Sequence, residues 1–152
     1  MSSDISNMSN EDIIEELRKI VKSKGLKYTQ QREIILSILI SEKDHLTAED
    51  IYNNFKTSYP DQTIGIATVY RALAFLEEIK LISSISIGSS ESKKYESNAK
   101  EHHDHLICTS CNKIIEFLDD DIEKRQEYIA TKNRFKITYH SMQLYGLCSD
   151  CQ

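Results

Sequence analysis

Four cysteines in two CxxC pairs have the spacing that points most directly to chemistry. They are Cys108, Cys111, Cys148 and Cys151. A tight turn between two such thiolates aims both sulfurs at one ion, so two pairs supply the four ligands of a tetrahedral zinc site. Two disulfides are disfavoured in a cytosolic chain, and a redox pair would open a helix, whereas Cys108 ends an apolar run. The sequence therefore predicts a structural zinc ion held by all four thiolates.

Histidines form a second group, because three of the five lie in the segment Glu-His-His-Asp-His at 101–105. In an extended segment, side chains alternate between two faces. His103 and His105 then point one way, and His102 and Asp104 point the other way. Such nitrogen and oxygen ligands suit Fe²⁺, Mn²⁺, Co²⁺ or Zn²⁺ rather than Cu⁺. The segment can contribute to two metal sites, although a solvated polar loop would contain the same residues.

Both groups lie in a C-terminal part that has the pattern of a small α/β domain. Strands are predicted over 106–108, 113–117, 135–139 and 142–148 from apolar runs and alternation. A helix is predicted over 119–132, where three leading aspartates suit the positive end of the helix dipole.

The N-terminal part has the pattern of several short helices followed by a hairpin. Apolar periodicity predicts helices over 10–24, from Thr29, from Thr47 up to Pro60, and over about 65–79. Thr47 and Asp50 have the spacing of a capping box. Alternating residues 81–87 and 93–96 flank a Gly/Ser tip, which predicts a β-hairpin with a wing tip at 89–92. This order of elements is that of a winged helix-turn-helix.

The predicted fold is therefore α+β, with two domains. A winged-helix domain covers 1–95 and includes the extension helix over about 10–24; a hinge covers 96–102, and a metal-binding dimerisation domain covers 103–152. No run of 18 apolar residues and no signal-like N-terminus occur, so a cytoplasmic protein without a membrane partner is expected.

The predicted fourth helix has the composition of a DNA-recognition helix. Ile66, Val69, Leu73 and Leu76 form its predicted core face, and Arg71 lies opposite. Ala67 and Thr68 are small enough for close approach to bases, Tyr70 can contact a thymine methyl group, and Arg71 can pair with guanine. An amphipathic helix with one exposed arginine is the alternative interpretation.

Charge is unevenly distributed. The formal net charge of −5 is unusual for a DNA-binding protein, but six Lys or Arg residues and no acidic residue lie between Arg18 and Arg32. This run, which includes Lys27 and Arg32, would attract a phosphate backbone, although a solvated helix face would carry the same charges.

The segment 67–71 (Ala-Thr-Val-Tyr-Arg), the segment 102–108 with Cys111, and the closing Cys148/Cys151 pair resemble the ferric uptake regulator (Fur) family. The resemblance runs from about Gly25 to Cys151, and the helix over 10–24 resembles the longer N-terminal extension of epsilonproteobacterial members.

The resemblance to this family implies three metal sites and a set of residues that contact DNA. The structural zinc would be held by Cys108, Cys111, Cys148 and Cys151. The regulatory site would comprise His45, Glu96, His103, His105 and Glu116. An additional site would comprise His102, Asp104, Glu123 and His140. DNA contacts would come from Lys27 in the minor groove and from Arg32, Ala67, Thr68, Tyr70 and Arg71.

The resemblance also implies a function. It indicates a homodimeric, Fe²⁺-dependent regulator, mainly a repressor, that binds palindromic AT-rich DNA operators, with higher oligomers on DNA and with Mn²⁺, Co²⁺ or Zn²⁺ as surrogate metals. Glu96 and Glu116 favour iron sensing, because peroxide-sensing relatives carry Asp there, and zinc sensors usually use a further cysteine. A peroxide-, manganese- or zinc-sensing regulator of the same family is the alternative. No enzyme is expected: a zinc hydrolase lacks support because no HExxH motif occurs, and a thiol oxidoreductase would need exchangeable cysteines.

Overall fold

The computed structural model describes residue 5 and residues 8–88 and 92–152, and it divides into two compact units, Met1–Glu101 and His102–Gln152. The elements of the first unit are α1 (Asn10–Ser23), α2 (Gln30–Ser41), α3 (Ala48–Ser58), α4 (Ile66–Glu78), β1 (Ile82–Ser86) and β2 (Lys93–Ser97). The elements of the second unit are β3 (Asp104–Cys108), β4 (Ile114–Phe117), α5 (Asp120–Lys132) and β5 (Gln143–Gly146). Together they form the α+β arrangement that the sequence predicts.

The core of the first unit is built from the apolar faces of its helices. Ile13 and Leu17 of α1 are fully buried, as are Leu39 of α2 and Phe55 of α3. The predicted capping box of α3 is confirmed, because the Thr47 hydroxyl accepts from the backbone of the third helical residue, whose carboxylate accepts in return from the Thr47 backbone. These short helices owe their stability mainly to this shared core, since isolated helices of such length are marginal in water.

Helix α4 buries Val69, Leu73 and Leu76 against this core. Ile66, which the sequence places on the same face, is 39% exposed because it is the first helical residue and lies beyond the core layer. The exposed face of α4 is therefore longer at its N-terminal end than the sequence predicts. Ile66 and Ala67, the first two residues of α4, are both exposed.

Strands β1 and β2 form the predicted antiparallel hairpin, with Ser84 opposite Tyr95. Residues 89–91, which include most of the predicted wing tip, lie outside the described residues. An isolated bridge pairs Leu46 with Tyr95 through two backbone hydrogen bonds. Residues 96 and 97, predicted as the start of the hinge, are instead the last residues of β2, because their backbone continues the pairing with β1.

The second unit contains a three-stranded sheet in the order β4-β3-β5. β3 runs antiparallel to β4 and parallel to β5. The predicted strand over 135–139 is wrong: these residues pair with no strand among the described residues, and Phe135 and Tyr139 are 69% and 74% exposed. Alternating apolar residues gave the strand signal, but a strand needs a hydrogen-bonding neighbour.

Large apolar side chains remain exposed in the second unit. Leu106 lies between Ile115 and Leu144 in the strand register, and all three are more than one-third exposed. This apolar row crosses the whole sheet. Contiguous exposed apolar patches on a small unit often mark an interaction surface.

Among the described residues, no helix is both long enough and apolar enough to span a membrane.

Candidate metal centres and nucleic-acid interface

The four cysteines converge in the second unit. Cys108 ends β3, Cys111 lies in the turn that follows, and Cys148 and Cys151 follow β5, the strand beside β3. The four sulfurs lie within 4.8 Å of one another, and those of Cys111 and Cys148 are 3.7 Å apart. Sulfurs about 2.3 Å from a zinc ion at tetrahedral angles stand about 3.8 Å apart, so this donor set fits zinc.

Hydrogen bonds in this cluster divide the thiols by acidity. Backbone N–H groups of Cys111 and Cys148 donate to the Cys108 sulfur and lower the pKa of that thiol to about 6. The Ser110 side chain lowers the pKa of Cys151, but the neighbouring thiols of Cys148 and Cys111 raise it to about 11. The Cys108 sulfur is thus held as thiolate, while the raised pKa of Cys151 keeps that thiol protonated. A divalent cation would resolve this repulsion, because thiolates are the form that binds metal.

A second cluster in the same unit contains two histidines and two carboxylates. The Glu123 carboxylate of α5 lies 3.2 Å from the His140 Nε2 atom and 3.4 Å from the His102 Nε2 atom. Asp104 begins β3, and its Oδ1 atom lies 3.8 Å from the His102 Nε2 atom and 4.0 Å from the His140 Nε2 atom. The four donor atoms lie within 4.8 Å of one another. Nitrogen and oxygen ligands about 2.1 Å from a tetrahedral ion would be about 3.4 Å apart.

Asp104 is the residue of this cluster that most needs a cation. Its side chain is 1% exposed, and among the described residues neither carboxylate oxygen has a hydrogen-bond partner. A buried carboxylate without hydrogen bonds is costly unless a cation compensates it. The cluster therefore fits a divalent metal better than it fits an apolar or purely hydrogen-bonded role.

Replacing Asp104 with Asn should change stability in opposite directions with and without metal. Metal-free protein should unfold at an equal or higher temperature, because a buried charge is removed. The temperature increase caused by saturating Co²⁺ or Zn²⁺ should shrink, because ligand stabilisation follows metal affinity. Thermal unfolding of both forms, with calorimetric metal stoichiometry, measures this. Asp120→Asn, an exposed carboxylate in the first turn of α5, is the matched control; a full metal response in Asp104→Asn would contradict the site.

The first unit contains a histidine and a carboxylate that the backbone brings together. His45 and Glu96 each adjoin one member of the Leu46–Tyr95 bridge, and the His45 Nε2 atom lies 3.1 Å from the Glu96 carboxylate. Lys100, which the sequence analysis did not select, lies 3.7 Å from the same carboxylate. The bridge thus explains how residues far apart in sequence form one pair.

The second unit contains the other three residues predicted for the regulatory site. His105 lies directly opposite Glu116 in the β3–β4 register, so their side chains share a face of the sheet. His103 shares that face by alternation, and its Nε2 atom lies 3.6 Å from the Glu116 carboxylate. The His103 and His105 ring centroids are 4.7 Å apart. These donors form a compact nitrogen and oxygen set within this unit.

The predicted base-reading residues lie on the accessible face of α4. Ala67, Tyr70 and Arg71 are exposed and Thr68 is half-buried. The Tyr70 hydroxyl donates to the Glu49 carboxylate at 2.9 Å, a hydrogen bond that raises the pKa of Tyr70. The Arg71 guanidinium donates to the Thr68 hydroxyl at 3.1 Å. Glu49 carried no sequence signal, because only the packing of α3 beside α4 places it near Tyr70.

Lys27 and Arg32 flank the start of α2. Lys27 is exposed, whereas Arg32 makes two intramolecular contacts. Its guanidinium donates to the Lys27 carbonyl at 3.2 Å and lies 4.3 Å from the Phe75 ring centroid. Arg32 therefore has a local structural role in addition to the DNA contact predicted for it.

The residues 23–145 match the model of the ferric uptake regulator family. The chain belongs to this family. It is 48% identical over 147 residues to the ferric uptake regulation protein of Campylobacter upsaliensis, covering 97% of this chain and 94% of that one. The solved structure of the Helicobacter pylori ferric uptake regulator is 41% identical, covers 95% of each chain and superposes with a TM-score of 0.82. That of the Pseudomonas aeruginosa regulator with manganese is 31% identical, covers 87% and 97%, and superposes with a TM-score of 0.74.

Membership of the ferric uptake regulator family confirms the resemblance predicted from the sequence, and the relatives carry the names of regulators. The match to the Helicobacter pylori structure extends over the described α+β elements of both units. The chain is accordingly a metal-responsive regulator of this family.

Proposed function

We propose that the protein is an Fe²⁺-dependent transcriptional regulator, mainly a repressor, that binds palindromic AT-rich operators as a homodimer. The observation that supports this proposal is the distribution of the predicted regulatory metal ligands over the two units. His45 and Glu96 belong to the helical unit, whereas His103, His105 and Glu116 belong to the sheet unit. Donors divided in this way can couple metal concentration to the arrangement of the DNA-reading helix.

The switch would act by restricting the angle between the units. A bound divalent cation would supply coordination bonds that form only when all five donors converge. His45 and Glu96, held by the Leu46–Tyr95 bridge, would then carry the whole helical unit into one orientation. In a dimer, that orientation sets the distance between two recognition helices and therefore the match to successive major grooves.

Fe²⁺ is proposed as the physiological metal because the donor set combines imidazole and carboxylate without sulfur. Glu96 and Glu116 support iron over peroxide sensing, since the peroxide sensors that the chain resembles carry aspartate at these places. Mn²⁺, Co²⁺ and Zn²⁺ would serve as surrogates. A manganese- or zinc-responsive member of the family is the second candidate, and the Pseudomonas aeruginosa relative was solved with manganese.

Three metal sites are proposed per chain. The cysteines would hold structural zinc, and the sets around His103 and Asp104 would hold the regulatory and additional ions. The Helicobacter pylori relative is described with three functional metal-binding sites, which supports this number. The sequence contains no HExxH motif of the kind that zinc hydrolases use, so a binding role is favoured over catalysis.

The apolar row of Leu106, Ile115 and Leu144 is proposed as part of the homodimer interface. These side chains leave the sheet of the second unit with an exposed apolar face, which a second copy would bury. We place the protein in the cytoplasm, together with its DNA target, and higher oligomers could assemble on long operators.

The experiment that tests this function combines metal analysis with DNA binding. Purified protein would be stripped of loosely held metal and titrated anaerobically with Fe²⁺, Mn²⁺ or Zn²⁺ while its affinity for an AT-rich palindrome is measured. We expect an increase in operator affinity with Fe²⁺ and Mn²⁺ while tightly held zinc remains. Operator affinity that ignores all three metals would contradict the proposal.

Replacing Arg71 with Ala should abolish discrimination between operator and random DNA. Arg71 is exposed on the face of α4 opposite the buried Val69 and Leu73, and a bidentate arginine–guanine contact contributes about 1–3 kcal/mol of base discrimination. The ratio of operator to random-DNA affinity, measured with saturating Mn²⁺, gives the effect. Ala74→Ser, also exposed but nearer the C-terminal end of the helix, is the control. An unaltered ratio in Arg71→Ala would remove this residue from the readout.

A further inference from the structure

Helix α1 lies almost entirely outside the part of the chain that matches the family model, which begins at residue 23. Its inner face is nevertheless integrated into the first unit, because Ile13, Leu17 and Val21 are at most 2% exposed. Burial of three aliphatic side chains makes α1 a rigid part of the unit. A rigid helix can hold other groups in place through the side chains on its remaining faces.

Arg18 of α1 contacts two neighbouring segments through its side chain. Its Nη2 atom lies 3.1 Å and 3.2 Å from the two carboxylate oxygens of Glu33 in α2. Its guanidinium carbon also lies 5.9 Å from the Tyr28 ring centroid. Arg18 thus contacts both the residue that follows Lys27 in the linker and the helix that the linker enters. The linker is defined here as residues 24–29, between α1 and α2.

The backbone of the linker is fixed at its beginning. Gly25 has a φ of 65°, and the N–H groups of Gly25 and Leu26 donate to the carbonyls of Lys22 and Val21. This double hydrogen bond is a Schellman-type helix end, for which glycine suits the left-handed conformation. It sets the direction in which the chain leaves α1.

The linker is also held from its other side. The Arg32 guanidinium donates to the Lys27 carbonyl at 3.2 Å while it packs over the Phe75 ring of α4. Lys27 therefore lies between two arginine-mediated contacts, one through Tyr28 to α1 and one through its own carbonyl to α2 and α4. Its side chain remains exposed. This arrangement fixes the Lys27 backbone and leaves its ammonium group available.

We propose that Arg18 is a positioning residue for DNA binding, through which the extension helix α1 braces the linker and presents Lys27 to the DNA. The inference rests on the proposed function in one respect, the DNA contact of Lys27. A linker that is ordered before binding spares the complex the entropy cost of ordering it. Arg18 itself acts within the protein, because its charge is compensated by Glu33.

The first test separates bracing from direct phosphate contact. Operator affinity of Arg18→Leu is measured at several salt concentrations with saturating Mn²⁺. We expect about a fivefold to tenfold loss with the salt dependence unchanged, whereas loss of a phosphate contact would reduce the salt slope by about one. Lys19→Leu, an adjacent exposed cation of the same helix, is the matched control for simple loss of positive charge. An equal loss in the two variants, or a reduced slope in Arg18→Leu, would overturn the proposal.

The second test asks whether Arg18 acts through Lys27. In a double-mutant cycle, Arg18→Leu should weaken binding in the parent but have less than about a twofold further effect in Lys27→Ala. If Arg18→Leu weakens operator binding equally in the parent and in Lys27→Ala, its effect does not pass through Lys27. That result would refute the role of Arg18 and leave the proposed function intact. If Lys27→Ala by itself leaves operator affinity unchanged, the DNA contact of Lys27 fails, and the brace fails with it.

Two further variants keep the tests independent of folding. Thermal unfolding and zinc content would show whether Arg18→Leu is intact. Glu33→Gln leaves Arg18 in place and should weaken operator binding, as Arg18→Leu does. The double variant in which the charges are exchanged, Arg18→Glu with Glu33→Arg, should bind the operator more tightly than Arg18→Leu. Parent-like binding in Glu33→Gln, or no recovery in the exchanged pair, would count against Arg18 acting through Glu33.

Discussion

Chelator-resistant zinc will be lost when Cys148 is replaced with Ser, and the dimer will be lost with it. The Cys148 sulfur lies 3.7 Å from that of Cys111, and its backbone N–H donates to the Cys108 sulfur, so it connects the two CxxC turns. Because zinc-binding energy in structural sites is also folding energy, about 10–16 kcal/mol in small peptides, removal of one thiolate is expected to unfold much of the sheet unit. Elemental analysis, light scattering and circular dichroism measure the three consequences.

The control for this variant is Ser149→Ala, in the same turn but without a ligand atom in the cluster. It should retain one zinc per chain and the dimeric mass. A zinc-free, dimeric and folded Cys148→Ser variant would contradict the structural-zinc assignment.

Metal-activated operator binding will be lost when His45 or His103 is replaced with Ala, while the dimer and the zinc persist. His45 belongs to the helical unit and His103 to the sheet unit. Moving a two-state equilibrium from 1:99 to 99:1 needs about 5.5 kcal/mol of differential binding, to which each coordinating imidazole would contribute a large part. We expect the metal-induced gain in operator affinity to fall by about 10-fold to 100-fold in either variant.

The matched control for the switch is His102→Ala, one residue from His103 but on the opposite face of the extended segment. Its Nε2 atom lies 3.4 Å from Glu123, so it belongs to the additional cluster, and its loss should reduce the metal response much less. Anaerobic operator titrations with and without Fe²⁺ or Mn²⁺ give the comparison. If His45→Ala responds to metal as the parent does, coupling between the units through this site is wrong.

Local patterns in the sequence predicted most elements of the helical unit. The end of α1 before Gly25 and the start of α3 after Thr47 follow from residue-specific capping, which depends only on neighbours in the chain. The strand predicted over 135–139 failed for the opposite reason, because strand formation depends on a hydrogen-bonding neighbour that alternation cannot supply. The prediction that Ile66 is buried failed likewise, since burial depends on what packs opposite a residue.

The candidate metal sites divide in the same manner. The cysteine spacing predicted that the four cysteines cluster, and the alternation of residues 102–105 separated His103 and His105 from Asp104, because both inferences need only local backbone geometry. Their distant partners were supplied by resemblance to the family and not by any local pattern.

Only the tertiary structure shows how residues far apart in sequence come close together in each predicted metal site. Glu116 adjoins His105 through the β3–β4 register, and the Leu46–Tyr95 bridge brings His45 to Glu96. Glu123 of α5 lies 3.2 Å from the His140 Nε2 atom, although 17 residues separate the two in sequence. Register and packing are set by the simultaneous burial of many side chains, so a single residue or its spacing carries no record of them. The same reason hid the contacts of Arg18 with Glu33 and of Glu49 with Tyr70, which join helices that the linear pattern treats as independent.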